Sequence, residues 1–127
     1  MINLTGLVAV FILIAAACTS IRKKPALLTG DICTIDEGHG LFGVVKVLAI
    51  DNDRIHVKMY TNKFYSRPEM IDATTLSMEV TEDDPETPGI PHLPYVKVDF
   101  HALKPEVEAT EAVYAEELEP YRIWKRS

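Results

Sequence analysis

The chain has 127 residues, 47% of them hydrophobic and 25% charged, a balance that suits one folded domain rather than a disordered or fibrous protein. A net charge of -6 argues against nucleic-acid binding, which depends on clustered Lys and Arg to neutralise phosphates. Two cysteines are too few for a disulfide scaffold or a four-cysteine zinc site.

An apolar run from Leu7 to Ala17 ends in three alanines followed directly by Cys18. A run of about a dozen apolar residues suits the core of a signal peptide better than a spanning helix, which needs about 20. The segment Ile14 to Cys18 resembles the lipobox of bacterial lipoproteins, with Ala15 where Leu is usual. That resemblance implies acylation of the Cys18 thiol and cleavage before it. No Lys or Arg precedes Leu7, whereas Arg22, Lys23 and Lys24 follow the run. This charge placement supports an alternative, an uncleaved helix from Ile2 to Ile21 with the domain facing the cytoplasm; an ordinary cleaved signal is the third reading. Residues 1–17 are therefore expected to be a signal peptide or membrane anchor, and residues 18–29 a tether. The expected location is the cell envelope, anchored to the membrane.

From Gly30 the apolar pattern has period two, the signature of strands. Strands are predicted at Ile32 to Ile35, Phe42 to Ile50, Ile55 to Tyr60, Ala73 to Val80 and Tyr95 to His101. The polar segments 36–40 and 51–54 are predicted turns. In the third strand Ile55, Val57 and Met59 face inward, and His56, Lys58 and Tyr60 face out; Val45, Val47, Val57 and Met59 are expected in the core. Pro85, Pro88, Pro91 and Pro94 make the intervening stretch a poor strand, because each lacks a backbone donor. In the last strand Val96, Val98 and Phe100 share one side. The fold class predicted for residues 30–103 is mainly β, a five-stranded SH3-like antiparallel barrel. Residues 104–127 are predicted to be a helical extension. Pro105 would occupy its first turn and Glu106 and Glu108 its N-terminus, with Val107, Tyr114, Leu118 and Tyr121 as its stripe. Pro120 should end or kink it near Leu118, and Trp124 should pack back on the barrel.

The run from Gly30-Asp31-Ile32 through Phe42 to Leu48, followed by Tyr60-x-Asn62-x-Phe64-x-x-Arg67-Pro68, resembles a poorly characterised group of small bacterial β-rich domains. The ending Glu116-Glu117-Leu118-Glu119-x-Tyr121-x-x-Trp124 resembles part of the same pattern. The opening Gly30-Asp31 segment is also similar to some immunity proteins of contact-dependent toxin systems, which neutralise a toxin by binding it. Neither resemblance implies catalytic residues.

A search for chemistry finds no catalytic set. No two of His39, His56, His92 and His101 have helical metal-pair spacing; His56 and His101, with Asp99, are the one pairing that adjacent strands could assemble into a metal site. Gly38-His39-Gly40-Leu41-Phe42-Gly43 lies between strands, where glycine serves turn geometry rather than a phosphate cradle. No Gly-x-Ser-x-Gly elbow is present. The acidic Glu82, Asp83, Asp84 and Glu86 lack the ligand spacing of a calcium loop. Cys33, between apolar neighbours and acidic flanks, reads as packing rather than a reactive thiol. No cofactor and no metal are expected. Tyr60, Phe64, Tyr65 and Arg67 form the candidate interaction surface, aromatics and arginine being the types that dominate interface energetics; residues His92 to Tyr95 could approach it. The alternative is that Phe64 and Tyr65 cover the barrel end. The expected function is a membrane-tethered, non-enzymatic protein-interaction domain with the membrane and a protein as partners and no nucleic acid. The alternatives are an immunity protein or a small envelope hydrolase.

Overall fold

The computed structural model describes residues 26–80, 82 and 85–127. The signal or anchor segment, the lipidation candidate Cys18 and the first part of the tether lie outside the described residues. Five strands, β1 (Asp31–Gly38), β2 (Leu41–Ile50), β3 (Arg54–Phe64), β4 (Ile90–Val96) and β5 (Glu106–Thr110), form one antiparallel sheet in the order β4-β3-β2-β1-β5. Helix α1 (Lys97–Ala102) follows β4, and α2 (Ala115–Arg126) ends the chain. The predicted mainly-β class with a C-terminal helix is present, but the sheet is not a barrel. β4 and β5 remain its two edges.

The β1–β2–β3 meander follows the period-two pattern. The turn between β1 and β2 holds Gly38, His39 and Gly40 at φ 87, 56 and 74, a left-handed run that two glycines make accessible at low steric cost. The β2–β3 hairpin pairs Val45 with Met59 and Val47 with Val57. One face of the sheet gathers Cys33, Ile35, Val45, Val47, Ile55, Val57 and Phe100 into a buried cluster, with Met59 half-buried beside it. Burial, reinforced by the Asp31 and Glu108 charges, pushes the Cys33 thiol up to about 12, so Cys33 stays protonated and packs.

Five sequence expectations are corrected. The strand predicted at Ala73 to Val80 is replaced by a single 3-10 turn, Ala73–Thr75. Asp72 starts it by accepting from the Thr74 N–H at 3.0 Å, the local side-chain bond that draws such residues away from ladders. The fourth strand is instead the proline-rich Ile90–Val96. It sits at an edge and, among the described residues, pairs with β3 alone, which is where proline is tolerated.

The predicted fifth strand, Tyr95 to His101, becomes α1 from Lys97 onward. Phe100 enters the core fully while Val98 is 72% exposed, so the two do not share a side. Finally, Glu106–Thr110 is a strand rather than the start of a helix, with Val107 paired to Cys33 on β1. The segment after residue 104 thus completes the sheet before it becomes helical, and Val107 is not on the helical stripe. α2 runs through Pro120 to Arg126 instead of stopping near Leu118. Trp124 does pack back on the sheet, with its ring 4.8 Å from that of His56.

Candidate functional site

The face of β3 predicted to meet solvent is covered. Lys46 and His56 have no exposure and Tyr60 only 6%, because α2 and the loop after β3 lie over them. Lys46 Nζ donates to Glu111 Oε1 at 2.8 Å, Glu117 Oε1 at 2.9 Å and the Ala112 carbonyl at 2.7 Å. Lys58 Nζ lies 2.6 Å from the other Glu117 oxygen, and the Tyr114 N–H donates to Glu117 Oε1. Burial alone would raise the Glu117 carboxyl, but the bonds from Lys58, Tyr114 and Lys46 outweigh it and hold the group below its usual range. One carboxylate therefore anchors α2 to two strands.

Beside this knot, His56 is bonded through both ring nitrogens, to Asp51 Oδ2 at 2.7 Å and to His92 Nε2 at 2.9 Å. The Tyr121 hydroxyl donates to Asp51 Oδ1 at 3.0 Å. An ionised Asp51 places a proton on His56 Nε2; with the ring neutral, Nδ1 accepts from His92 Nε2–H. The His56 bond is the largest cause holding Asp51 below its usual carboxylate range. Burial, then the neighbouring His56, lowers His92. Tyr121 and Trp124 close over His56 at ring distances of 4.5 and 4.8 Å. Asp51, His56 and His92 make a hydrogen-bonded chain, yet among the described residues no hydroxyl or thiol is bonded to His92. Nor does any group of three His, Cys, Asp or Glu among those residues converge to hold a metal ion. His56 partners His92 rather than His101, which sits on α1 beside Phe100. The arrangement docks a helix.

The open surface lies at the β5 edge of the sheet. A groove of about 870 Å³ runs against β5, lined by Ala26, Leu27, Arg67, His101, Val107 and Glu108 among others. Arg67 is built into it, donating to the Thr34 carbonyl at 3.1 Å and the Thr34 hydroxyl at 2.8 Å. Its guanidinium also lies 3.4 Å from Glu106 and 4.8 Å over the Phe42 ring. Burial raises the Glu108 carboxyl.

The four residues of the candidate interaction surface are thereby divided. Tyr60 is buried with Ile32, Val44 and Ile71, Phe64 packs against that cluster, and burial raises the Tyr60 phenol. Arg67 is half-buried in the groove wall, and Tyr65 is 90% exposed. Met70, 79% exposed, follows the groove-lining Glu69.

Sequence reasoning missed Lys46, Asp51, His92, Glu117 and Tyr121 as a set. Two signals were present. Lys46 interrupts the apolar run Val44 to Leu48, and a lone cation there requires a buried counter-charge. Asp51 and His56 stand at the two ends of a tight hairpin turn, which brings them together.

Comparison with protein-family models, curated proteins and solved structures finds no match to this chain.

Proposed function

We propose that this is a membrane-tethered, non-enzymatic interaction domain of the lipoprotein type, which holds a protein partner in the groove beside β5. The observation that carries the reading is that groove, with Arg67 fixed in its wall, Ala26 and Leu27 in its lining, and the exposed Tyr65 and Met70 flanking its Arg67–Glu69 segment in sequence. A partner captured there is held next to the tether. Acylation at Cys18 supplies the membrane attachment, which scales at about 0.8 kcal/mol per buried CH₂. No helix among the described residues is long and apolar enough to cross a membrane, so on this reading attachment falls to the segment before Ala26.

A photo-crosslinking residue placed singly at Tyr65, Val107 or Asn52 of the full chain tests the reading in cells. Tyr65 and Val107 should give the same discrete adduct in the membrane fraction, Asn52 should not, and Cys18→Ser should move the adduct to the soluble fraction. The reading fails if no adduct forms, or if Asn52 gives the same adduct as Tyr65 and Val107.

A further inference from the structure

The two edges of the sheet are not equivalent. β4 carries Pro91 and Pro94, so two of its residues have no N–H to offer a neighbouring strand. β5 contains no proline between Glu106 and Thr110, and among the described residues its ladder partner is β1 alone. An antiparallel edge strand turns alternate N–H and C=O groups outward. The groove is built against that strand, with Pro105, Glu106, Val107 and Glu108 in its lining.

Charge selects what can add there. Glu69, Glu106 and Glu108 face the groove, and the one arginine in its wall is engaged by Thr34 and Glu106. A second copy pairing antiparallel with β5 would bring the Glu106 and Glu108 of two chains into one face, and like charges across strands are destabilising. β5 bulges at Glu108, since Cys33 pairs with Val107 but Ile32 with Ala109; the Glu106 and Glu108 carboxylates nonetheless converge on Arg67 and Thr34, while Val107 lies opposite Cys33. The complementary strand therefore carries cations at alternate positions with an apolar residue between them.

We propose that the β5 edge receives, by strand addition, an extended segment of a partner protein with lysine or arginine at alternate positions. Main-chain bonds to β5 hold the segment, and Glu106 with Glu108 choose its sign. This rests on the interaction-domain reading above and adds the partner's chemistry to it.

The test uses the full chain in detergent with two synthetic probes, an alternating Lys-Val peptide and its Glu-Val counterpart, and follows amide hydrogen exchange. The Lys-Val peptide should slow exchange at the outward amides of Glu106–Thr110 by on the order of tenfold and leave Ile90–Val96 unchanged. The Glu-Val peptide should do nothing. The exposed-site pair Glu69→Lys with Glu106→Lys should invert that preference, with Trp124 emission confirming that the fold is kept. The proposal is overturned if neither peptide protects β5, or if both protect it equally. Protection without peptide that grows with chain concentration would make a second copy the occupant and also overturn it. So would protection without peptide that disappears in Arg22→Ser/Lys23→Ser/Lys24→Ser, which would make the chain's own basic triplet the occupant. A crosslinked partner at Tyr65 and Val107 without peptide protection of β5 would remove this inference alone. Peptide protection without any crosslinked partner would remove the broader reading alone.

Discussion

One face of the sheet is closed by Phe100 over Cys33, Ile35, Val45, Val47, Ile55 and Val57, while the other buries Lys46 and His56 beneath α2. The first is apolar throughout and is held by the area it removes from water, about 25 cal/mol per Å². The second combines the apolar cluster around Tyr60 with specific partners: Lys46 on Glu111 and Glu117, Lys58 on Glu117, and His56 on Asp51 and His92. An apolar face tolerates hydrophobic substitutions that keep volume. A face of buried charges tolerates removal of a whole set better than removal of one partner.

The largest expected effect comes from putting a charge on the apolar face. Val57→Asp places a carboxylate where the side chain has no exposure. The cost of an unpaired buried charge is comparable with the whole stability of a domain, about 5–15 kcal/mol, so the variant should lack a cooperative unfolding transition. If position 58 were simply solvent-facing, Lys58→Asp would be mild. Its Nζ lies 2.6 Å from Glu117, and the substitution sets two carboxylates against each other beside buried Lys46. A loss of about 1–3 kcal/mol is expected in urea titration. An unchanged midpoint would show that α2 is not fixed through Glu117.

The next comparison lies within the polar face. Glu117→Ala strips Lys46 and Lys58 of a shared counter-ion and should cost about 3 kcal/mol or more, as breaking a buried pair from one side does. Lys46→Met keeps a similar volume. It leaves Glu117 with Lys58 and Glu111 with water, to which its side chain is already 35% exposed. That variant should stay within about 1.5 kcal/mol of the parent. Equal losses for the two would mean the knot adds no more than packing.

What was legible in the sequence divides along the same line. The β1 to β3 meander and its apolar face could be read because alternation over Ile32 to Ile35, Phe42 to Ile50 and Ile55 to Tyr60 depends only on local geometry. The polar face could not, because alternation marks His56, Lys58 and Tyr60 as outward without saying whether a later element covers them. The same limit applies to the edges. Pro91 and Pro94 argue against a strand until the sheet order shows an edge, and Pro105 with its acidic followers suggests a helix until Cys33 on β1 offers Val107 a partner. Of the proposed surface, Arg67 and Tyr65 lie at the groove or open to solvent, while Tyr60 and Phe64 were drawn into a cluster with Ile71. Ile71 comes from a loop whose path the period-two pattern does not encode.

The smallest effect, and the one that isolates the helix-docking layer, is its dependence on pH. His92 is half-buried, and burial together with His56 lowers its pKa. Below the ordinary histidine value of about 6.5 the unfolded chain takes up a proton that the folded chain refuses, so stability falls as pH drops toward the lowered folded value. Asp51 is also lowered, through its bond from His56, but its contribution is lost only further into the acid range, as pH falls through its folded pKa. The two steps are therefore separable. Protonated His92 would face His56 and Asp51 on one side, with Tyr121, Trp124, Arg54 and Lys125 packed around them. The cations among these groups oppose a further positive charge. Unfolding followed by emission of Trp124, the only tryptophan, should show a lower midpoint at about pH 5.5 than at about pH 7.5. His92→Gln keeps a donor toward His56 Nδ1 but does not titrate. It should flatten that step and leave the more acidic one in place, and an unchanged slope would assign the near-neutral step to another group.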